Sequence, residues 1–200
     1  MDEFAQSSTP APGTTNVDFE ERVNFDRLRA YRSGRARAAL ASSELGALLC
    51  FDMNNIRYLT STNIGEWARD KLMRFAVLAG DAAPVLWDFG SAAKAHRLHA
   101  PWLAPEDSRA GMTGLRGSIA PEAGFFARAA REVQATLQAA GVGDMPLGVD
   151  ISEMPMVFAL QELGIDVRDG QQTMLDARQI KSRDEILLLS TAAAMVDGVY

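Results

Sequence analysis

The sequence predicts an α/β fold in which helices flank a mixed sheet. Three observations carry that prediction. Leu45–Phe51 is an apolar run the length of one strand, interrupted only by Gly46. Arg74–Ala79 (RFAVLA) and Ala83–Phe89 (APVLWDF) are two more apolar segments, and Gly80-Asp81-Ala82 between them reads as a hairpin turn. Beyond residue 120, helix-like and strand-like segments alternate, as in layered α/β structures.

The elements follow in chain order. Residues 1–17 are rich in Ser, Thr, Pro, Ala and Gly and read as a disordered tail. Asp18–Leu45 reads as helix, with Asp18 as cap and Glu20-Glu21 at the positive end of its dipole. Phe25, Leu28, Arg32, Arg35 and Ala39 form its apolar stripe, and Gly34 could divide it in two. The arginines of this segment read as a solvated face. After the Leu45–Phe51 strand, Asp52–Asn55 suits a turn and Ile56–Thr60 a short, extended continuation, β-branched and aromatic in character. Asn63–Arg74 is a polar connection carrying Trp67.

Gly90–Leu103 reads as a short helix ended by Pro101, with His96 and His99 as a surface pair rather than metal ligands. Pro105–Gly117 is loop-like; its glycines form no phosphate loop, because no Lys-Ser/Thr follows them. Pro121 suits the first turn of a helix whose buried face is Phe125, Ala129, Val133 and Leu137, ended by Gly141 or Gly143. Leu147–Asp150 reads as a strand, Met154–Leu163 as a helix with Gly164 at its end, and Ile165–Val167 as a strand. Ser182 or Asp184 caps a last helix, Glu185–Tyr200.

Bulk properties narrow the function. Of 200 residues, 48% are hydrophobic and 23% charged, enough to build a core. A net charge of −6 argues against nucleic acid as a partner. No apolar run approaches the ~18–20 residues of a membrane span, and no basic segment precedes an apolar one as in a secretion signal. The expectation is a cytoplasmic protein that binds neither membrane nor nucleic acid. Cys50, the one cysteine, lies inside an apolar run and reads as a buried, inert thiol. Asp150, Asp166, Asp169 and Asp176 are scattered singly and read as turn and cap residues. There is no H-E-x-x-H, no cysteine pair and no paired Asp on a strand flanked by His.

Two phrases resemble a known family. FDMNNIRYLTST (Phe51–Thr62) resembles the corner that ends a core strand in the N-terminal domain of creatinase, prolidase and aminopeptidase P enzymes. Arg178-Gln179-Ile180-Lys181-Ser182, followed by Glu185-Ile186, resembles the junction leading into their catalytic "pita-bread" domain. The resemblance covers Phe25–Tyr200. It implies a creatinase-like N-terminal domain over residues 18–180, then a junction and the first helix of a truncated catalytic domain over 181–200.

The resemblance also implies a role. Family peptidases hold two divalent metals (Mn, Zn, Co or Fe) with two Asp, one His and two Glu, all beyond the junction, so no catalytic residue, metal ligand or cofactor is expected in this chain. The N-terminal domain dimerises and shapes a pocket for a small peptide or zwitterionic substrate, its post-corner loop reaching over the partner's active site. Here that loop is Ser61–Arg74, where Trp67, with Arg57, Arg69 and Arg74, would close a pocket in trans. LTSTNIGEW (Leu59–Trp67) resembles one branch especially, the dimethylsulfoniopropionate lyases built on the same fold, which eliminate dimethyl sulfide to leave acrylate. The leading expectation is an Xaa-Pro peptidase-like hydrolase; the lyase and a stand-alone dimerisation or binding domain are the alternatives.

Overall fold

The computed structural model describes residues 23–64, 74–112 and 120–199. The tail at 1–17, the proposed cap Asp18, Trp67, Arg69, Gly114 and Gly117 all lie outside those residues.

The core strand forms as expected. β1 (Ala47–Cys50) is buried along its whole length. β2 (Phe75–Ala79) and β3 (Val85–Asp88) make the hairpin, with Gly80 at φ +51, a left-handed turn position that glycine occupies without strain. β4 (Ser108–Ala110), β5 (Leu147–Val149) and β6 (Val167–Asp169) complete a sheet of order β4-β3-β2-β1-β5-β6. The β1–β2 and β2–β3 pairs are antiparallel, whereas β1–β5, β5–β6 and β3–β4 are parallel, so the sheet is mixed.

Strand alternation sends side chains to two cores. Leu49, Phe51, Phe75, Val77 and Trp87 meet α4 (Phe125–Ala139) and α5 (Met154–Glu162) on one face. Leu48, Cys50, Ala76, Leu78 and Leu86 meet α1 (Phe25–Ala41), α2 (Met53–Thr60) and α6 (Gln171–Gln179) on the other. Leu49 is 0% exposed. Leu49→Ala should therefore cost about 2–5 kcal/mol in urea unfolding, the usual penalty for emptying a close-packed leucine site. A loss below about 1 kcal/mol would place β1 outside the core.

Several elements differ from the sequence reading. α1 runs unbroken through Gly34, capped by Asn24, whose side chain accepts from the Arg27 N–H at 2.8 Å. Its buried residues are Leu28, Ala36 and Leu40, while Phe25 is exposed. The corner after β1 is helical, because the Asp52 carboxylate caps it through the Asn54 and Asn55 N–H groups and Ile56 and Leu59, three apart, share the core. α3 (Gly90–His99) stops just short of Pro101. Pro121 opens only a single 3₁₀ turn, Pro121–Ala123, and α4 begins after Gly124, burying Phe126 where Phe125 was expected.

β4 arises within the expected loop by pairing with the edge of β3. β6 starts two residues late, at Val167 rather than Ile165, and the residues leading up to the expected junction form α6. Close approach of backbones sets this corner: a Cβ on Gly170 would lie 2.6 Å from the carbonyl carbon of Gly148.

Residues 180–182, where the junction was expected, link α6 to α7 (Arg183–Val199). A reciprocal cap starts α7, Ser182 N–H to the Glu185 carboxylate at 2.9 Å and Glu185 N–H to the Ser182 hydroxyl at 3.2 Å.

The arginines of α1 are not a solvated face. Arg27 grips Asp184 with two bonds of 2.8 and 2.7 Å, and Arg32 reaches Glu185 at 2.9 Å. Arg35 donates to the carbonyls of Asp176 and Ala177 at the end of α6. Beneath them the Tyr58 hydroxyl donates to the Ala177 carbonyl at 3.1 Å, and burial pushes that phenol up to about 12.

The Arg27 bond holds the Asp184 carboxyl below its ordinary range, against the opposing effect of burial. A carboxyl with a depressed folded pKa stabilises the protein above its unfolded pKa of about 3.9, and that stability disappears as pH falls through the folded value. Asp184→Asn should thus flatten the acid limb of the stability curve below about pH 4. Urea midpoints measured from neutral to acid pH check this; parallel curves for the variant and the parent would refute it.

Candidate functional site

The connection singled out in the sequence leaves α2 through Ser61, which sits in the left-handed region at φ 54. Its two ends are clamped together by one arginine. Arg74, one residue before β2, is 1% exposed and donates a guanidinium N–H to the Thr62 hydroxyl. Thr62 in turn pairs with the Thr60 hydroxyl at 2.7 Å, and Thr60 bonds back to the Ile56 carbonyl at 2.8 Å. The Trp102 indole N–H donates to the Thr60 carbonyl at 2.9 Å, and Arg29 lies 4.2 Å above the Trp102 ring.

Strand register explains the clamp. Phe75 pairs with Trp87, so the preceding Arg74 stands opposite Asp88 at the end of β3. Both side chains point to the α1/α2/α3 face. The guanidinium Nε lies 3.5 Å from the Asp88 carboxylate, which is wholly buried. Asp88 also meets His96 Nε2 at 2.9 Å and accepts from the Phe89 N–H at 2.9 Å. Burial pulls the Arg74 pKa down and Asp88 pushes it back up. This packed ion cluster fixes the root of the connection to the sheet.

Of the expected site residues, Arg57 and Arg74 are among the described ones. Arg57 is exposed on α2 and lines a groove facing α7. Arg74 is an internal clamp rather than a pocket wall, because strand alternation turns it inward and Asp88 supplies its counter-charge. Trp67 and Arg69 lie outside the described residues. His96 and His99 are not a surface pair: His99 is exposed, but His96 folds back onto Asp88. The available signal was the position of Asp88 at the end of a strand, two helical turns before His96.

A second constellation was missed. Asp150 is not an isolated turn residue but the hub of the sheet's carboxyl-terminal edge. Its carboxylate accepts from the backbone N–H groups of Phe51 (2.8 Å), Asp52 (3.0 Å) and Ile151, and from the Asn55 side chain (3.0 Å). Asn55, itself fully buried, donates to Gln171 and accepts from Arg178 at 2.6 Å. In α/β sheets this edge, where parallel strands end, is where ligands commonly bind; here side chains fill it. Neighbouring Cys50 is buried, and burial first, then Asp150 and Asp52, pushes its thiol well above the ordinary range. The thiolate needed for nucleophilic chemistry is thereby suppressed. Among the described residues, no three His, Cys, Asp or Glu side chains converge as a metal site would require. None of their helices is long and apolar enough to cross a membrane.

Comparison with known proteins gives these features a context. No family model matches the chain. It is 28% identical over 176 residues to the dimethylsulfoniopropionate lyase DddP of Roseovarius nubinhibens, and 30% identical over 198 residues to that of Roseobacter denitrificans. The matches cover 84% and 90% of this chain but only 38% and 42% of those proteins. The chain thus spans about two fifths of the curated relatives' length. Among solved structures, it resembles the Xaa-Pro dipeptidase from Bacillus anthracis at TM-score 0.53 and 13% identity, over 79% of this chain and 38% of that one. It also resembles the N-terminal domain of the cytoplasmic peptidase PepQ from Mycobacterium tuberculosis at TM-score 0.50 and 20% identity, over 74% and 98% of the two chains. At these identities the structural likeness establishes the fold: the small α/β domain that creatinase-type enzymes carry at their N-terminus.

Proposed function

We propose that this chain, which has the creatinase/prolidase-type N-terminal fold and two dimethylsulfoniopropionate lyases as sequence relatives, is the dimerising, pocket-shaping domain of such a lyase. The observation that carries this reading is the 30% identity sustained over 198 residues and 90% of this chain. An Xaa-Pro peptidase-like hydrolase, the leading expectation from the sequence, is the second reading. It draws on solved structures at 13% and 20% identity, which speak to fold and not to reaction.

In this reading the domain works as a homodimer in the cytoplasm, and its connection reaches toward the partner's active site. No His, Cys, Asp or Glu cluster suited to a metal converges among the described residues, so in this reading a divalent metal pair would be held elsewhere in the protein. What this chain's own residues supply is position. Arg74, Asp88 and Thr62 hold the two described ends of the connection whose sequence carries Trp67. An aromatic face at a pocket mouth can exclude water and attract a sulfonium or ammonium group, worth about 0.5–2 kcal/mol.

The test is to assay the gene product carrying this domain, with divalent metal, on dimethylsulfoniopropionate and on Xaa-Pro dipeptides. Dimethyl sulfide release without dipeptide hydrolysis is the expected result. Dipeptide hydrolysis alone selects the peptidase, and activity on neither leaves a binding domain. In the active enzyme Trp67→Ala should lower kcat/KM by roughly two- to thirtyfold while the melting temperature stays in place.

A further inference from the structure

The groove on which Arg57 lies is a different surface from the connection, and its chemistry does not depend on which reaction the protein catalyses. It runs between α2 and α7 with a volume of about 420 Å³. Four cations line it, Arg32, Arg57, Arg178 and Lys181, against one carboxylate, Glu185. That concentration of positive charge stands out in a chain of net charge −6.

Three of the four cations are already held in place. Arg32 is bonded to Glu185 at 2.9 Å and lies 5.3 Å from the centre of the Tyr58 ring. Arg178 is pinned by Asn55 at 2.6 Å, itself fixed by the Asp150 hub. The Lys181 ammonium donates to the carbonyls of Arg178 and Gln179, leaving one N–H for another acceptor. Arg57 is different: among the described residues its guanidinium has no hydrogen-bond or ion-pair partner. The opposite wall is apolar, built from Leu188 and Leu189 of α7.

We propose that this groove binds a small aliphatic carboxylate, its carboxylate bridging Arg57, Arg178 and Lys181 and its alkyl chain resting on Leu188 and Leu189. A guanidinium presents paired N–H groups that match a carboxylate's two oxygens. The fixed cations lose little freedom on binding, which favours affinity. The apolar wall selects against a bare inorganic anion, which has nothing to place there.

Titration calorimetry on the purified protein tests this with hexanoate, hexanamide and inorganic phosphate, repeated on Arg57→Gln. Hexanoate should bind saturably at one site, and hexanamide and phosphate should not. Arg57→Gln should weaken hexanoate by about tenfold or more, as expected for losing a charge-assisted bond, with an unchanged melting temperature because Arg57 supports no other residue. Equal binding of hexanamide would mean an apolar cleft without carboxylate recognition. Equal or tighter binding of phosphate would mean a generic anion patch. No binding of hexanoate, or hexanoate binding that survives Arg57→Gln, also overturns the proposal. None of these results bears on lyase or peptidase activity, so the two readings fail separately.

Discussion

Asp150→Ala should destabilise the domain by about 3–5 kcal/mol, because it strips several buried donors of one shared acceptor. The carboxylate serves the N–H groups of Phe51, Asp52 and Ile151 and the Asn55 amide at once. Each buried donor left unpaired costs about 1–3 kcal/mol, and Phe51 and Asn55 are too enclosed for water to replace the lost oxygen. The same residue ties the ends of β1 and β5 to the start of α2, so the damage is shared by three elements. Asp150→Asn should recover only part of the loss, since its NH₂ would face other donors. Urea unfolding measures both variants. A double-mutant cycle with Asn55→Ala should be strongly non-additive, because the two residues share one bond. A loss below about 1 kcal/mol for Asp150→Ala would show that the hub is dispensable.

Arg74→Ala should cost a similar amount, about 3–5 kcal/mol, by leaving the Asp88 carboxylate buried without its guanidinium. Asp88 is 0% exposed, and with Arg74 removed His96 and the Phe89 N–H are what remain against its carboxylate among the described residues. Replacing both partners, Arg74→Met with Asp88→Leu, should restore much of the stability, because the uncompensated charge goes with its partner. The single and double variants separate charge burial from packing: equal losses for the two would make the effect one of volume alone. The single variant also frees Thr62, so amide hydrogen exchange at residues 62–64 should accelerate beyond the global change in stability.

Local pattern determined a good deal of this fold. The Leu45–Phe51 run suited a strand covered on both faces, and it contains the buried β1. Glycine and small polar residues between RFAVLA and APVLWDF left a hairpin as the economical reading, and β2 and β3 pair accordingly. The helical spacing of Ala129, Val133 and Leu137 marked the buried face of α4. These features depend on residues close in sequence, whose periodicity survives without knowledge of the rest of the chain.

Tertiary structure decided what depends on residues far apart. Ile56–Thr60 has strand-like composition, yet the Asp52 cap and the core contacts of Ile56 and Leu59 make it helical; packing outweighs a propensity difference of well under about 1 kcal/mol per residue. β4 exists only because the edge of β3 offers it a ladder. Arg27 and Arg32 of α1 looked solvated because their carboxylates, Asp184 and Glu185, lie more than 150 residues away along the chain. Arg74 looked like a pocket residue because nothing local reveals that the hairpin register sets it opposite Asp88. A charged side chain shows its type in the sequence. Whether it faces water, a ligand or a buried counter-charge is settled by the elements that fold around it.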